Sequence, residues 1–211
     1  MGLHLNYELR LPGSRSPEQA TATLARLRAF ALGMRLGKVS ELYDARSAGL
    51  RRLTTVLAAA FKNESRGLIP DVDSVRGFSV LPGDGCETAI LAFARRADER
   101  GRRQDWFWYW SCKTQYASVF GDRHLVTCHT GLVKLLDHAI AIGVNVVVRD
   151  ETGYWETRDE ARLIAEVGAM NRVVARLAGQ LGDLDGLPHG QLRAPIFRHP
   201  RFERLEMGLD D

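Results

Sequence analysis

The segment DWFWYWSCKTQYAS, residues 105–118, restricts the fold more than any other stretch of this chain. Aromatic side chains run without a break from Trp106 to Trp110. Strand periodicity sends Trp106, Trp108, Trp110, Cys112, Thr114 and Tyr116 to one side, and Phe107, Tyr109, Ser111, Lys113 and Gln115 to the other. A strand with large apolar groups on both sides belongs in the middle of a sheet covered on both faces. Each buried aromatic adds about 2–3 kcal/mol of transfer free energy, so the aromatic half reads as core. The end of the strand is different: it carries a thiol, an ammonium, an amide and a phenol. If the strand stays central, Lys113 must meet a carboxylate, reach water or lose its proton. If it emerges at the sheet edge, Lys113 is simply wet.

Elements on either side supply the rest of the sheet. LHLNYELRL (3–11) alternates as a half-buried strand. Ser16, Pro17 and Gln19 then open a helix with a capping box, and its apolar stripe is Leu24, Leu27, Phe30 and Met34. KVSELYD (38–44) reads as a second strand, SAGLRRLTTVLAAAFK (47–62) as a helix, and NESRGLIPDVDS as a breaker-rich loop. RGFSVL (76–81) and ETAILAFARR (87–96) form a hairpin across PGDG, with Cys86 at the joint. A helix over 124–143 and a strand over 144–149 follow, and Thr157 with Glu160 caps the last long helix. Its stripe is Leu163, Val167, Met170, Val174, Leu177 and Leu181.

This order predicts an α+β fold. The sheet is mixed or antiparallel, of about five to six strands, with helices mainly on one face in a ferredoxin-like elaboration. Residues 1–186 make a single domain. Residues 187–211 hold three of the seven prolines and make an extended C-terminal arm, docked on its own body or on a second copy in a homo-oligomer.

The helix over 124–143 adds a second polar element. At 100° per residue, His129 falls about 40° from Leu125, inside the apolar arc, and Cys128 falls at its margin. His129 is therefore expected to face the sheet, bonded to a carbonyl or Tyr, or serving chemistry. Carboxylates follow in RDETGYWETRD: Asp150 is assigned to the turn, and Glu151 and Glu156, beside Trp155, are free to pair with Lys113 or an arginine. The candidate ligand-binding set is Cys112, Lys113, Gln115, Tyr116, His129, Glu151, Trp155 and Glu156, around a polar pocket at the end of strand 105–116. A small polar or anionic ligand fits it.

Two other roles compete with ligand binding. Cys112 or Cys128 with His129 would make a thiolate–imidazole enzyme. The proline-rich arm and surplus tryptophan would suit an assembly module without chemistry. No phosphate-cradling glycine loop, HExxH, GxSxG or EF-hand pattern is present, and no cofactor is expected. His124 and Cys128, with Cys112 or Asp122, have the ligand chemistry for zinc but diverge on the helix, so no metal is expected. Three cysteines without CxxC spacing read as free thiols in a reducing compartment. The longest apolar run, AIAIGVNVVV, is about half of a membrane span, and the N-terminal residues lack a signal-peptide pattern. The expected location is the cytosol. With 25 Arg against 4 Lys and a net charge of +3, the arginines are scattered. They reflect a GC-rich bacterial genome rather than a nucleic-acid footprint.

Overall fold

The computed structural model describes residues 2–11, 16–46, 74–95, 105–182 and 195–208. The helix expected over 47–62, the loop after it, the turn before Asp105 and the first part of the arm lie outside these residues.

Among the described residues, seven strands form one antiparallel sheet: β1 (Leu5–Arg10), β2 (Lys38–Val39), β3 (Tyr43–Arg46), β4 (Ser74–Leu81), β5 (Ala89–Arg95), β6 (Phe107–Cys112) and β7 (Asn145–Asp150). They run in the order β2-β4-β5-β6-β1-β7, with β3 also on β4. The count exceeds the expected five to six because 38–46 divides in two. The Ser40 hydroxyl takes the Ser79 N–H at 2.9 Å, so the chain leaves the edge of β4 between β2 and β3.

β1 lies between β6 and β7, with Tyr7 opposite Trp110 on one side and Val148 on the other. Leu5, Tyr7 and Leu9 are sealed, whereas Asn6 and Glu8 are half-buried and Arg10 is exposed. β6 is an interior strand by its pairing, but it is not covered on both faces as expected: Trp108 is sealed, whereas Phe107 and Tyr109 are half-buried on the face they share with Glu8 and Arg10. Its pairing with β5 narrows to the register point Ala94–Phe107. Beyond it, side chains satisfy the β5 backbone. Tyr7 O–H and Trp108 Nε1–H both donate to the Ile90 carbonyl at 2.8 Å, and Trp110 Nε1–H donates to Thr88 at 3.0 Å. The tryptophans thus bury apolar area and satisfy the polar backbone together.

Among the described residues, three long helices accompany the sheet: α1 (Pro17–Gly33), α2 (Asp122–Ala141) and α4 (Glu160–Gly182). α1 begins with the Ser16–Gln19 capping box in full. Its buried line is Ala20, Leu24, Leu27 and Ala31; Phe30 turns outward and stacks on His138, with ring centroids 4.0 Å apart. A short helix, α3 (Tyr154–Thr157), precedes α4 and changes its cap. Thr157 belongs to α3, and Asp159 Oδ1 instead accepts the Ala161 and Arg162 N–H groups. Within α4, Leu163, Val167 and Val174 are buried and Leu177 is partly exposed. Residues 195–208 hold a 3-10 turn (Pro195–Arg198) and the helix α5 (Phe202–Met207), both packed on α4. Ile196 and Leu205 meet Val174, Ala175 and Ala178 there in a second apolar cluster. Among the described residues no helix is long and apolar enough to cross a membrane.

Candidate functional site

Strand β6 ends at Cys112, earlier than the alternation to Tyr116 suggests. Glu87 clamps the chain there: its N–H donates to the Lys113 carbonyl at 2.8 Å, and its Oε2 accepts the Lys113 N–H at 3.0 Å. Residues Gln115–Phe120 then wind into a 3-10 helix. Gln115 and Tyr116 therefore leave the strand, and the polar end of 105–116 becomes a corner rather than a strand tip.

Thr114, His129 and Asp150 meet beneath this corner. Thr114 Oγ1 is 2.8 Å from His129 Nδ1, and His129 Nε2 is 3.1 Å from Asp150 Oδ2. Asp150 Oδ1 also accepts the Thr152 N–H and O–H, and Oδ2 accepts the Trp155 N–H. Burial raises the Asp150 carboxyl pKa, but the bond and charge of His129 and the two Thr152 donors outweigh it and hold the value below normal. A carboxylate at Nε2 requires the proton there, so in the neutral ring Nδ1 accepts from Thr114. The Tyr154 ring packs edge-on against the imidazole, centroids 5.4 Å apart. The hydroxyl–imidazole–carboxylate order resembles a nucleophile relay. It is sealed among the described residues, however: Thr114, His129 and Asp150 are 4%, 1% and 7% exposed. Its evident work is to join the corner, α2 and β7.

A second polar chain continues from the same corner. The Leu3 N–H donates to Gln115 Oε1 at 2.9 Å, and Gln115 Nε2 donates to Asn171 Oδ1 at 2.8 Å. Asn171 Nδ2 donates to Ser118 Oγ at 2.9 Å, and the Ser118 hydroxyl donates to the Gln115 carbonyl at 2.7 Å. Asn171 sits in the buried line of α4 between Val167 and Val174. This chain ends at a cleft of about 270 Å³ between the corner, α2, α4 and the C-terminal segment. Ser118, Asn171 and His199 are buried in its lining, with Asp122, Arg172, Arg201 and Arg204 around them. The three arginines are each engaged within the fold. His199 Nδ1 accepts the Arg201 N–H at 3.2 Å, which leaves its proton on Nε2. Burial first, and the Arg201 charge second, lower the His199 pKa.

The other sequence candidates are dispersed. Cys112 is buried, its thiol donating to the Glu87 carbonyl at 3.2 Å; burial and then Glu87 push its pKa up, away from a nucleophilic thiolate. Lys113 is half-buried. Glu151 bonds the His4 N–H at 2.8 Å and its ring at 3.3 Å rather than pairing with Lys113, and it borders a shallow depression of about 300 Å³ with Asn6, Glu8, Tyr109 and Arg149. Glu156 is exposed. Trp155 lies under the Arg158 guanidinium at 4.5 Å. Tyr116 packs against the second apolar cluster, and burial raises its phenol pKa.

The thiols group differently from the expected Cys128–His129 pair. Cys128 Sγ lies 3.5 Å from Nε2 of His124, and the turn that carries Cys86 packs against the same helix face, with Gly83 over the sulfur. Among the described residues no group of three or more His, Cys, Asp or Glu side chains is arranged to hold a metal ion. Comparison with protein-family models, curated proteins and solved structures finds no match.

Proposed function

We propose that this chain binds a small anionic ligand in the cleft between the 115–120 corner, α2, α4 and the C-terminal segment. The observation that carries this reading is the charge of the lining: Arg172, Arg201 and Arg204 stand against one carboxylate, Asp122. The planar forks of guanidiniums suit carboxylate or phosphate oxygens. The second amide hydrogen of Asn171 and the Nε2–H of His199 supply neutral donors for orientation. A volume of about 270 Å³ lies at the small end of ligand sites, which favours a short carboxylate or a single phosphoryl group over a nucleotide. The sealed Thr114–His129–Asp150 relay sets the corner from which this cleft is built and contributes rigidity, not chemistry. On this reading the site shifts from the strand end to the first turn beyond it. The order β5-β6-β1-β7, with α1 after β1 and α2 between β6 and β7, supports a ferredoxin-like centre extended by β2, β3 and β4.

Thermal unfolding at low ionic strength with millimolar phosphate, sulfate, succinate, citrate and AMP tests the proposal. A ligand at about 100 times its dissociation constant adds about 2.7 kcal/mol, so one of the small anions should raise the midpoint by several degrees. That rise should vanish in Arg172→Gln or Arg204→Gln. No rise with any of them, or an equal rise in both variants, would sink the reading.

A further inference from the structure

We propose that Cys86 and Cys128 form a peroxide-oxidisable dithiol, with His124 positioning the attacking sulfur. The turn between β4 and β5 brings them together. The Cys86 N–H bonds the Gly83 carbonyl at 3.2 Å, which folds residues 83–86 back towards α2. His124 and Cys128 stand one helical turn apart on α2 and both face this turn. A Cβ at Gly83 would lie 2.5 Å from Cys128 Sγ and 3.1 Å from His124 Cε1. The turn can approach the sulfur so closely because residue 83 is glycine.

Nε2 of His124 lies 3.0 Å from the Asp84 carbonyl, which can only accept, so this nitrogen carries a proton. The same N–H faces Cys128 Sγ at 3.5 Å and can steady a thiolate. These contacts agree with a Cys128 pKa drawn down to about 7, first by Cys86 and then by His124, against burial and the Asp84 charge. Cys86 moves up, with Cys128 and burial as the causes. The two sulfurs are thus unequal, as an attacking and a resolving thiol must be. Cys112 and Glu87 complete the ionisable surroundings. Cys86 is half-exposed and Cys128 buried, so the oxidant must be small.

The chemistry balances with hydrogen peroxide as co-reactant. The Cys128 thiolate attacks one peroxide oxygen and the O–O bond breaks. Cys128 becomes a sulfenic acid, and the hydroxide released takes up the proton that the thiol had lost, giving water. The Cys86 sulfur then attacks the sulfenic sulfur. The S–S bond forms, the S–O bond breaks, and the hydroxyl leaves with the Cys86 proton as a second water. Two electrons pass from the sulfurs to peroxide.

Mass spectrometry of the folded protein after stoichiometric hydrogen peroxide, with alkylation in denaturant, tests the scheme. The expected result is a loss of about 2 Da, one peptide pair joining Cys86 to Cys128, and a fully alkylated Cys112. Cys86→Ser should stop at a Cys128 sulfenic acid that a 1,3-dione traps, and Cys128→Ser should leave Cys86 unoxidised. The wild-type oxidation rate should rise through a midpoint near pH 7, and His124→Gln should move that midpoint higher. Three free thiols after peroxide, a bridge through Cys112, or a linkage between two chains overturns the dithiol. A folded His124→Gln protein with an unmoved midpoint overturns the role of His124. If that variant fails to fold, the wild-type and cysteine variants still decide the pairing.

Discussion

Nε2 of His129 and Oδ2 of Asp150 are 3.1 Å apart, and neither side chain reaches solvent. The pair fastens α2 to the end of β7, directly below the corner that leads to the cleft. Removing one member leaves the other buried and unmatched. Asp150→Ala is expected to cost about 3–5 kcal/mol, and Thr114→Val, which strips Nδ1 of its partner, about 1–3 kcal/mol. Urea midpoints at constant slope check both; a loss under 0.5 kcal/mol for Asp150→Ala, against roughly 3 expected, would contradict the bracing role.

Acid should reveal the same pair. The folded Asp150 carboxyl titrates below its ordinary value of 3.8, so its contribution is complete at neutral pH. It is lost as the pH falls from about 3.8 through the folded value, because the unfolded chain then binds the proton more readily. Thermal midpoints between pH 2 and 7 should fall more steeply on the acid side in wild type than in Asp150→Asn. Identical acid slopes would remove this carboxylate from the account.

The Ile90 carbonyl accepts from two side chains of the central sheet, Tyr7 and Trp108. Tyr7→Phe and Trp108→Phe should each cost about 1–2 kcal/mol. Because each single variant still leaves the Ile90 carbonyl one donor and the double leaves it neither of the two, the double variant should cost more than the sum, and a double-mutant cycle measures the difference. Strict additivity would show that the two bonds act independently.

Gly83→Ala should destabilise by about 1–3 kcal/mol, since its methyl group would press on Cys128 Sγ. Combining it with Cys128→Ala removes the obstructing sulfur and should recover part of the loss. Equal destabilisation in both backgrounds, read from guanidinium unfolding, would place the strain elsewhere.

The sequence declares β1 and β6 openly because alternation and two-sided aromatic bulk have few other outlets. The inward angle of His129 follows from helix geometry alone, and the hairpin from PGDG. Thr114 is harder to find. Strand parity carries it forward on the Cys112 face, but the Glu87 clamp, set from 26 residues away, ends the strand before it. The Asp159 cap was hidden for a similar reason: α3 uses up Thr157. Asn171 left a signal, a lone amide in the apolar line of α4, yet its partners Gln115 and Ser118 lie on a turn whose bend no local pattern announces. The cleft depends on residues 172 and 199–205 meeting 118–125, a long-range encounter that periodicity cannot register.

The place of β1 also bears on how the chain comes together. Leu5 pairs with Cys112 on one side and Asp150 on the other, so this strand waits for most of the chain to be made. At about 5–20 residues per second, residue 150 follows residue 5 off the ribosome by roughly 7–30 s. Until β6 follows, about 100 residues later, the stripe of Leu5, Tyr7 and Leu9 lacks either of the strands that flank it in the sheet. Partners so distant in sequence give the sheet a high contact order and slow closure. A strand left waiting in this way offers chaperones an extended apolar segment to hold.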